Sequence, residues 1–523
     1  MCNILYIIRS AFFGLAMFRK LLLRSKDTYC KWWFRQCNSD STSRSLEHLL
    51  QKNILSCGQP TVYSHPHILQ EGELLPGIHI QEFRSRRQQL MEDIWQSNSL
   101  EQTHIVIIPA ATQCYMTERI PYPYRQNSDM LYLSGCMEPN CALVISSSIL
   151  GRAREVLFVR GKDAHQELWD GPRIAANQSS AALFGVDEVL PCTELTGYLR
   201  SFARNKEKFT MYESSNPLPP PDSIKATIET FVTSIGPKIE SPRSFLHKLR
   251  LIKSPAEVQL MMNAAQIASE AIASTIAVES GCDGIVLPWL EERQIAARVD
   301  YECRARGAQQ LAYPPVVASG NRTNTIHYIS NNQRAYPDDL ILMDAGCEYY
   351  GYNSDITRTW PASGKFSSSQ QALYEALLDV QTQLITLLTE RPSLDELFVV
   401  MCQLLGLRLR DLGFVSASAS RAEQTQAARK FCPHHVSHFL GMDVHDTCTI
   451  PHNIPLRPGM VLTIEPGIYI NQTSNIAPVE FRGMGMRIED DVLITDGEPI
   501  VLSSNCPKSV QDLEKLMISI PFS

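Results

Sequence analysis

The sequence predicts two folded domains, an α/β domain over residues 70–245 and an α+β domain over residues 246–523, behind an extension of residues 1–69. Three observations carry this. At 523 residues the chain exceeds what one ordinary core organises. From Gly77 onward, short apolar runs of strand length alternate with amphipathic stretches of helical period. At Ser254-Pro255-Ala256-Glu257 a capping serine, a proline at the first helical position and a capping-box glutamate mark a fresh start.

The first 26 residues carry Arg9, Arg19, Lys20, Arg24 and Lys26 and no acid, with apolar residues between them. Arg9 interrupts the roughly 20 apolar residues that a membrane span needs. No small-residue cleavage site follows, as a secretory signal requires. The segment therefore reads as a mitochondrial presequence, with stable membrane insertion not expected, and the polar stretch 39–45 reads as linker. Residues 81–97 predict a charged amphipathic helix and 104–109 a buried strand. Strands are expected at 130–133, 142–145 and 155–159, helices near 175–184 and 224–233, and a loop at the prolines of 217–221. Past the boundary, 258–276 predicts a long helix ended by Gly281, and 290–306 a second one. Strands near Val316, Ile326, Leu340, Ile356, Val461 and Arg487 and helices at 370–388 and 394–412 complete the pattern.

A net charge of −7 with a pI near 6.0 gives no reason to expect nucleic acid as a partner. The fifteen cysteines are scattered, odd in number and without a C-x-x-C pair, which predicts free thiols rather than a disulfide framework. Glycosylation sequons at Asn177, Asn321 and Asn471 read as chance matches.

Four carboxylates and one histidine stand where apolar strands should bury them: Asp344 in LILMDAGC, Asp355 in YNSDITRTW, His438 in PHHVSHFLGMDVHD, Glu465 in VLTIEPGIYI and Glu489 in GMRIEDDVLI. Such charges are costly in an interior unless something cancels them. Two divalent cations and a hydroxide would do so, a combination that makes a hydrolase centre. Asp344 and Asp355 flank a glycine-containing turn at Tyr349-Tyr350-Gly351, so a hairpin would bring them together. Glu465 and Glu489 repeat the device on a longer hairpin. Oxygen donors with a single imidazole suit Mn²⁺, Zn²⁺, Co²⁺ or Fe²⁺. Asp355 and Glu489 are candidates to bridge, Glu465 to move a proton, and Cys347 is expected off the metal face. Five of thirteen histidines fall between His434 and His452. His434 and His438 would share one face of an extended strand over 432–444. His327, His434 and His445 are candidates to bind the substrate carbonyl and shuttle protons. Taken singly, each residue has a plainer reading, a turn aspartate or a solvated histidine, and Asp490 and Asp491 read as exposed strand-end charges. The ordered set carries the metal reading.

These motifs, together with YPYRQNSDMLYLSG at 122–135 and Trp169-Asp170-Gly171, resemble the pita-bread metallopeptidases of the M24 type, specifically the X-Pro aminopeptidases (aminopeptidase P). GQPTVYSHPHIL at 58–69 and the presequence-like start resemble that family's mitochondrial branch. The resemblance implies a pita-bread catalytic domain and a creatinase/aminopeptidase P amino-terminal domain. It implies two divalent ions, Mn²⁺ first with Zn²⁺ or Co²⁺ as alternatives, on Asp344, Asp355, His438, Glu465 and Glu489. It implies peptides with proline at the second position as substrates, and His327, His434, His445, Tyr469 and Arg487 as substrate-binding or orienting groups. Trp169 is similar to a tryptophan that reaches a neighbouring subunit's active site, which implies a homodimer or higher homo-oligomer. One departure is His435, where bacterial members have glycine. A prolidase restricted to dipeptides and a non-catalytic binding protein of the same fold are the competing readings.

Overall fold

The computed structural model describes residues 57–518 apart from 98–102, 148–152, 204–207, 213–223, 236–238 and 280–289. The presequence-like start, the proline run and Gly281 lie outside the described residues.

The amino-terminal region is a six-stranded mixed sheet in the order Ile239–Glu240, Lys208–Tyr212, Thr103–Pro109, Ala142–Ser147, Ala153–Val159, Glu188–Pro191. Strand alternation divides its side chains between two cores. Val106, Ile108, Leu143, Ile145, Leu157 and Val159 face the helix Ile80–Ser97, which contributes Phe83, Leu90, Met91 and Ile94. Ile105, Ile107, Val144, Val156 and Phe158 face the opposite way, onto Leu195, Leu199 and Ile228 of two further helices. The first core also contains Leu260, Met261, Ala265, Tyr352, Leu440 and Met442, so it continues into the carboxy-terminal half without a break.

That half is built on antiparallel ladders with helices packed outside them. One sheet runs Val316–Ser319, Leu340–Ala345, Ile356–Pro361, and a second runs Val461–Ile464, Asp490–Leu493, Ile500–Val501. A short pair, Gly467–Tyr469 with Gly485–Arg487, keeps the register of the second sheet. The helices start where serines cap them: Ser367 with Gln370, Ser393 with Glu396 and Ser420 with Glu423 all form capping boxes. At the long helix Pro255–Glu279, the Ser254 amide donates to Glu257 Oε2 at 2.9 Å, as the sequence predicts.

Three expectations are corrected. Residues 130–133 are not a strand but lie in the helix Ser128–Ser134, capped by Asn127 and ended by Gly135 in the left-handed region. An apolar run of four does not distinguish a buried strand from a buried helical turn. Ile326 lies in a turn rather than a strand, after the 3₁₀ segment Gly320–Asn324. Residues 432–444 are not a strand: 434, 436 and 441–444 are bends. The stretch 436–440 lies along the strand Val461–Ile464 through the bridge between Phe439 and Leu462 and through backbone bonds from the amides of Leu440, Thr463 and Glu465 to the carbonyls of Val461, His438 and Val436. The eleven cysteines of the described residues are all free. No helix among the described residues is long and apolar enough to cross a membrane.

Candidate metal centre

The first acid pair is placed by register. Asp344 pairs with Thr357 and Ala345 with Ile356, so Asp355, just beyond the ladder, is Asp344's diagonal neighbour on the same face. The chain between them closes through Tyr349 and Tyr352, with Tyr350 and Gly351 both at positive φ (49° and 85°), the backbone of a tight hairpin turn. Gly346 has no substitute, because a Cβ there would meet the Ser354 carbonyl oxygen at 1.8 Å. The second pair uses the register Ile464 opposite Asp490 and Gly467 opposite Arg487, which sets Glu465 across from Glu489 in the gap between the ladders. The Glu489 amide donates to the Thr357 carbonyl at 3.1 Å and joins the two hairpins.

His438 completes the cluster from the extended segment. Its Nδ1–H donates to the Phe439 carbonyl at 3.1 Å, which turns Nε2 toward Asp355 Oδ2 (3.4 Å) and Glu465 Oε1 (3.6 Å). Ligand atoms of Asp355, His438 and Glu489 all lie within 4.8 Å of one another. An imidazole pinned through one nitrogen and aimed with the other at carboxylates is the usual dress of a metal ligand.

Electrostatics also fits a cation-binding site. Burial pushes the Asp344 carboxyl up to about 6 against the pull of Arg487, and pushes Glu465 up to about 7 against His438. Burial and then the charges of Asp355 and Glu465 hold Glu489 well above the usual carboxylate range. Asp355 goes the other way: burial opposes its charge, but His438 holds it below its ordinary value. His438 in turn, despite burial, is raised to about 9 by Asp355 and Glu465. Four carboxyls crowded this way repel one another, and divalent cations among them would relieve the repulsion. The donor set of four carboxylates and one imidazole fits hard or borderline divalent ions.

Around the cluster, Arg487 is the organiser. It donates through Nη2 to Asp344, through Nη1 to Tyr469 Oη at 2.9 Å and through Nε to Thr357 Oγ1 at 3.0 Å, and Thr357 donates to Glu489 Oε2 at 2.6 Å. The Tyr469 hydroxyl reaches His434 Nε2 at 2.9 Å, and His434 Nδ1–H donates to the His435 carbonyl at 2.7 Å. Burial and the nearby Arg487 charge lower His434 to about 4, so its ring is neutral at pH 7. His445 packs edge-on against the His438 ring at 4.4 Å and borders a cavity of about 240 Å³ with Arg125, Asp443 and Cys448. His327 is exposed but close enough for its charge to bear on His434 and His445. Cys347 points away, its thiol donating to the Ala264 carbonyl. Trp169 does not join the others within one chain; it is 74 % exposed on the helix Ala164–Asp170.

Two features were not anticipated. The Tyr313 hydroxyl donates toward both Asp344 and Asp355. In the sequence it is one tyrosine before Pro314-Pro315 with nothing to single it out. Tyr313→Phe is expected to keep the fold and lower kcat/KM about tenfold, because the two acids lose a shared donor that fixes their orientation; steady-state assays with a melting curve check this. The other feature is a correction: Asp490 and Asp491 are fully buried, not exposed strand-end charges. Asp490 is held near pKa 2 by Arg358 and Lys508 despite its burial. The Asp491 carboxylate accepts the Asp355 amide at 3.1 Å. The charges that make this burial tolerable come from distant positions in the chain.

Comparison with known proteins agrees with this geometry. Residues 259–496 match the model for metallopeptidase family M24, and residues 83–212 match the aminopeptidase P N-terminal domain. The chain is 42 % identical to Xaa-Pro aminopeptidase 3 of Rattus norvegicus over 467 residues, 88 % of this chain and 90 % of that one. The chain belongs to the aminopeptidase P family of M24 metallopeptidases. Within that family it is also 36 % identical to the mitochondrial intermediate cleaving peptidase 55 of Arabidopsis thaliana, across 89 % of this chain and 88 % of the other. Proline aminopeptidase P II from Yersinia pestis has the same fold, with a TM-score of 0.75 at 31 % identity, covering 84 % of this chain and all of that one. Aminopeptidase P membership supports both the pita-bread catalytic fold and the N-domain expected from the motifs, and ties the chain to divalent metal ions.

Proposed function

We propose that this chain is a two-metal aminopeptidase that releases the first residue of peptides whose second residue is proline. The observation carrying this reading is the convergence of Asp344, Asp355, His438, Glu465 and Glu489 from two hairpins and an extended segment. In this reading those five residues would hold the ions, with Asp355 and Glu489 the candidates to be shared between them; Mn²⁺ is the first choice, with Zn²⁺ or Co²⁺ fitting the same donors. When bound, the ions supply a hydroxide nucleophile near neutral pH and polarise the scissile carbonyl.

The chain's own groups do the rest. The bond before proline is a tertiary amide without an N–H, and its nitrogen must leave protonated. Glu465 takes the proton from water and passes it to that nitrogen. His445, whose ring packs edge-on against that of His438 at 4.4 Å, would donate to the carbonyl oxygen as charge builds there. His434 is a neutral ring whose Nδ1–H is used on the His435 carbonyl, so its Nε2 accepts from the Tyr469 hydroxyl and would accept from a substrate N–H or amine that displaced it. His327, at the solvent side, completes the substrate-binding histidines. Arg487 and Tyr469 keep Asp344 and His434 in place.

Trp169, exposed beside Leu168, supports a homo-oligomer in which it reaches a neighbouring subunit's site. A mitochondrial location is proposed from the basic, acid-free start of the chain and from the relative named mitochondrial; a fusion of residues 1–60 that stayed in the cytosol would refute it. The deciding assay for function incubates the protein with a tripeptide X-Pro-Y and a dipeptide X-Pro, each with and without Mn²⁺. Metal-dependent release of X from the tripeptide is expected. Turnover of the dipeptide alone would make the chain a prolidase.

A further inference from the structure

We propose that Asp395, His435 and His452 form a separate cation site for one divalent transition ion of the zinc class, on the side of the histidine segment away from the candidate metal centre. Their potential ligand atoms, two imidazole nitrogens and one carboxylate oxygen, all lie within 4.8 Å of one another. None of the three belongs to the five-residue centre.

The strongest observation is the His435 ring. Its Nδ1 lies 2.8 Å from the Ser437 carbonyl, a group that only accepts, and 3.3 Å from the Ser437 amide; the shorter contact puts the proton on Nδ1 and the lone pair on Nε2. That Nε2 is buried and has no hydrogen-bond partner. A buried acceptor left without a partner is unfavourable, and a carbonyl-anchored imidazole with its other nitrogen free is how metal-binding histidines are set. Phe398 stacks on the ring at 5.1 Å and 20°, fixing its plane, and the His452 ring stands edge-on at 5.1 Å. Asp395 Oδ1 lies 3.8 Å from His435 Nε2, beyond hydrogen-bond range. An ion with ligand bonds of about 2.0–2.1 Å fits between two such atoms.

The backbone prepares the same arrangement. The Asp395 amide donates to the His452 carbonyl at 3.2 Å, and the Leu456 amide to the Pro392 carbonyl at 3.3 Å, so the loop carrying His452 is clasped to the start of the helix carrying Asp395. Asp395 and His452 are exposed, so rotamer changes alone can close the remaining distance while the half-buried His435 ring is held by Phe398 and Ser437. Two imidazoles and one carboxylate, with open positions for water, suit Zn²⁺, Co²⁺ or Fe²⁺; Ca²⁺ and Mg²⁺ favour oxygen-only sets. The site also adjoins the proposed chemistry. His434 and His435 point to opposite sides, the former toward Glu465 and Tyr469 and the latter toward Asp395. The His435 carbonyl that holds the His434 ring belongs to the same residue that would bind the ion.

The test is metal content of the full chain. Wild type, Asp395→Ala, His452→Ala and the double variant are incubated with Zn²⁺, dialysed and measured by elemental analysis, with Co²⁺ absorption spectra in parallel. Wild type is expected to carry one more ion per chain than each of the three variants, and its Co²⁺ spectrum to contain a component they lack. Asp355→Ala separates this site from the main centre, since it is expected to lose metal there and keep the additional ion. Equal metal content and identical Co²⁺ spectra in wild type and the double variant would overturn the proposal.

Discussion

Asp355→Ala is expected to lower kcat/KM for an X-Pro-Y peptide by about 10³-fold or more, and to leave the protein folded. Asp355 has the most connected position in the cluster. One oxygen faces His438 Nε2 at 3.4 Å, the other accepts from Tyr313, and its ligand atom lies within 4.8 Å of those of His438 and Glu489. Its backbone is fixed as well, because the amide donates to Asp491. The alanine variant removes a proposed bridging ligand and should also lose bound metal at Mn²⁺ concentrations that saturate the wild type. The fold should persist, since the Asp355 amide keeps its bond to Asp491 in the alanine variant and the loss of the His438 pairing is offset by removal of the Asp355 charge that repels Asp344 and Glu489. Turnover, metal content and circular dichroism are measured together. A metal-free Asp355→Ala protein with wild-type turnover would refute the metallopeptidase mechanism, whereas an unfolded variant would refute the claim about repulsion.

Metal removal should make stability fall as pH rises, and metal addition should reverse this. In the metal-free chain, burial raises Asp344 from 3.8 to about 6 and Glu465 from 4.5 to about 7. A carboxyl raised by folding binds its proton more tightly in the native state. Its contribution is therefore present below its unfolded value and is lost as pH rises through its folded value. Glu489 acts in the same direction. His438, raised to about 9, is charged in the native state where the unfolded ring is not, so its contribution also disappears on going to high pH. Asp355 is depressed and stays ionised across this window, so it adds no slope there, whereas His434, lowered to about 4, acts the opposite way below pH 6.5 and offsets part of the loss without reversing it. At about 1.4 kcal/mol per unit, the combined loss between acid and mildly alkaline pH is on the order of a few kcal/mol. Bound cations favour the ionised carboxylates and cancel it. Thermal melts of chelator-treated protein should therefore give a lower Tm at pH 8 than at pH 5, with a larger rise on adding Mn²⁺ at pH 8. A metal-free chain more stable at pH 8 would contradict the assignment of these shifts.

The sequence makes the centre legible and hides much of what supports it. Asp344, Asp355, Glu465 and Glu489 stand out because acids in apolar strand runs are anomalous, and the Gly351 turn predicts correctly that the first pair meets across a hairpin. The helices 80–97, 255–279, 368–387 and 394–411 are legible from period and capping residues. Residues 130–133 form a helical turn where the sequence predicts a strand, because four consecutive buried apolar residues have no period. Tyr313 and the burial of Asp490 and Asp491 depend on contacts across large sequence separations, such as Arg358 with Asp490, which no local pattern encodes. His435 stands out only as a departure at one position. Its environment comes from Phe398 and Asp395, on a helix that begins 41 residues earlier.

A set of contacts reaches from the amino-terminal region to the chemistry. Arg250, buried, donates to Asp129 at 2.7 Å and to Asp443 at 2.7 Å, and also pairs with Asp446, while Ser128 donates to Asp443 at 2.6 Å. Asp443 and Asp446 flank Val444 and His445, so the helix Ser128–Ser134 grips both sides of a proposed catalytic histidine. The stretch matching the peptidase family begins after this helix, at residue 259. The two matched regions are therefore not separable parts: a peptidase half expressed alone would keep all five proposed metal ligands and lose the clamp that aims His445. Swapping amino-terminal regions between relatives would exchange part of the active site along with them.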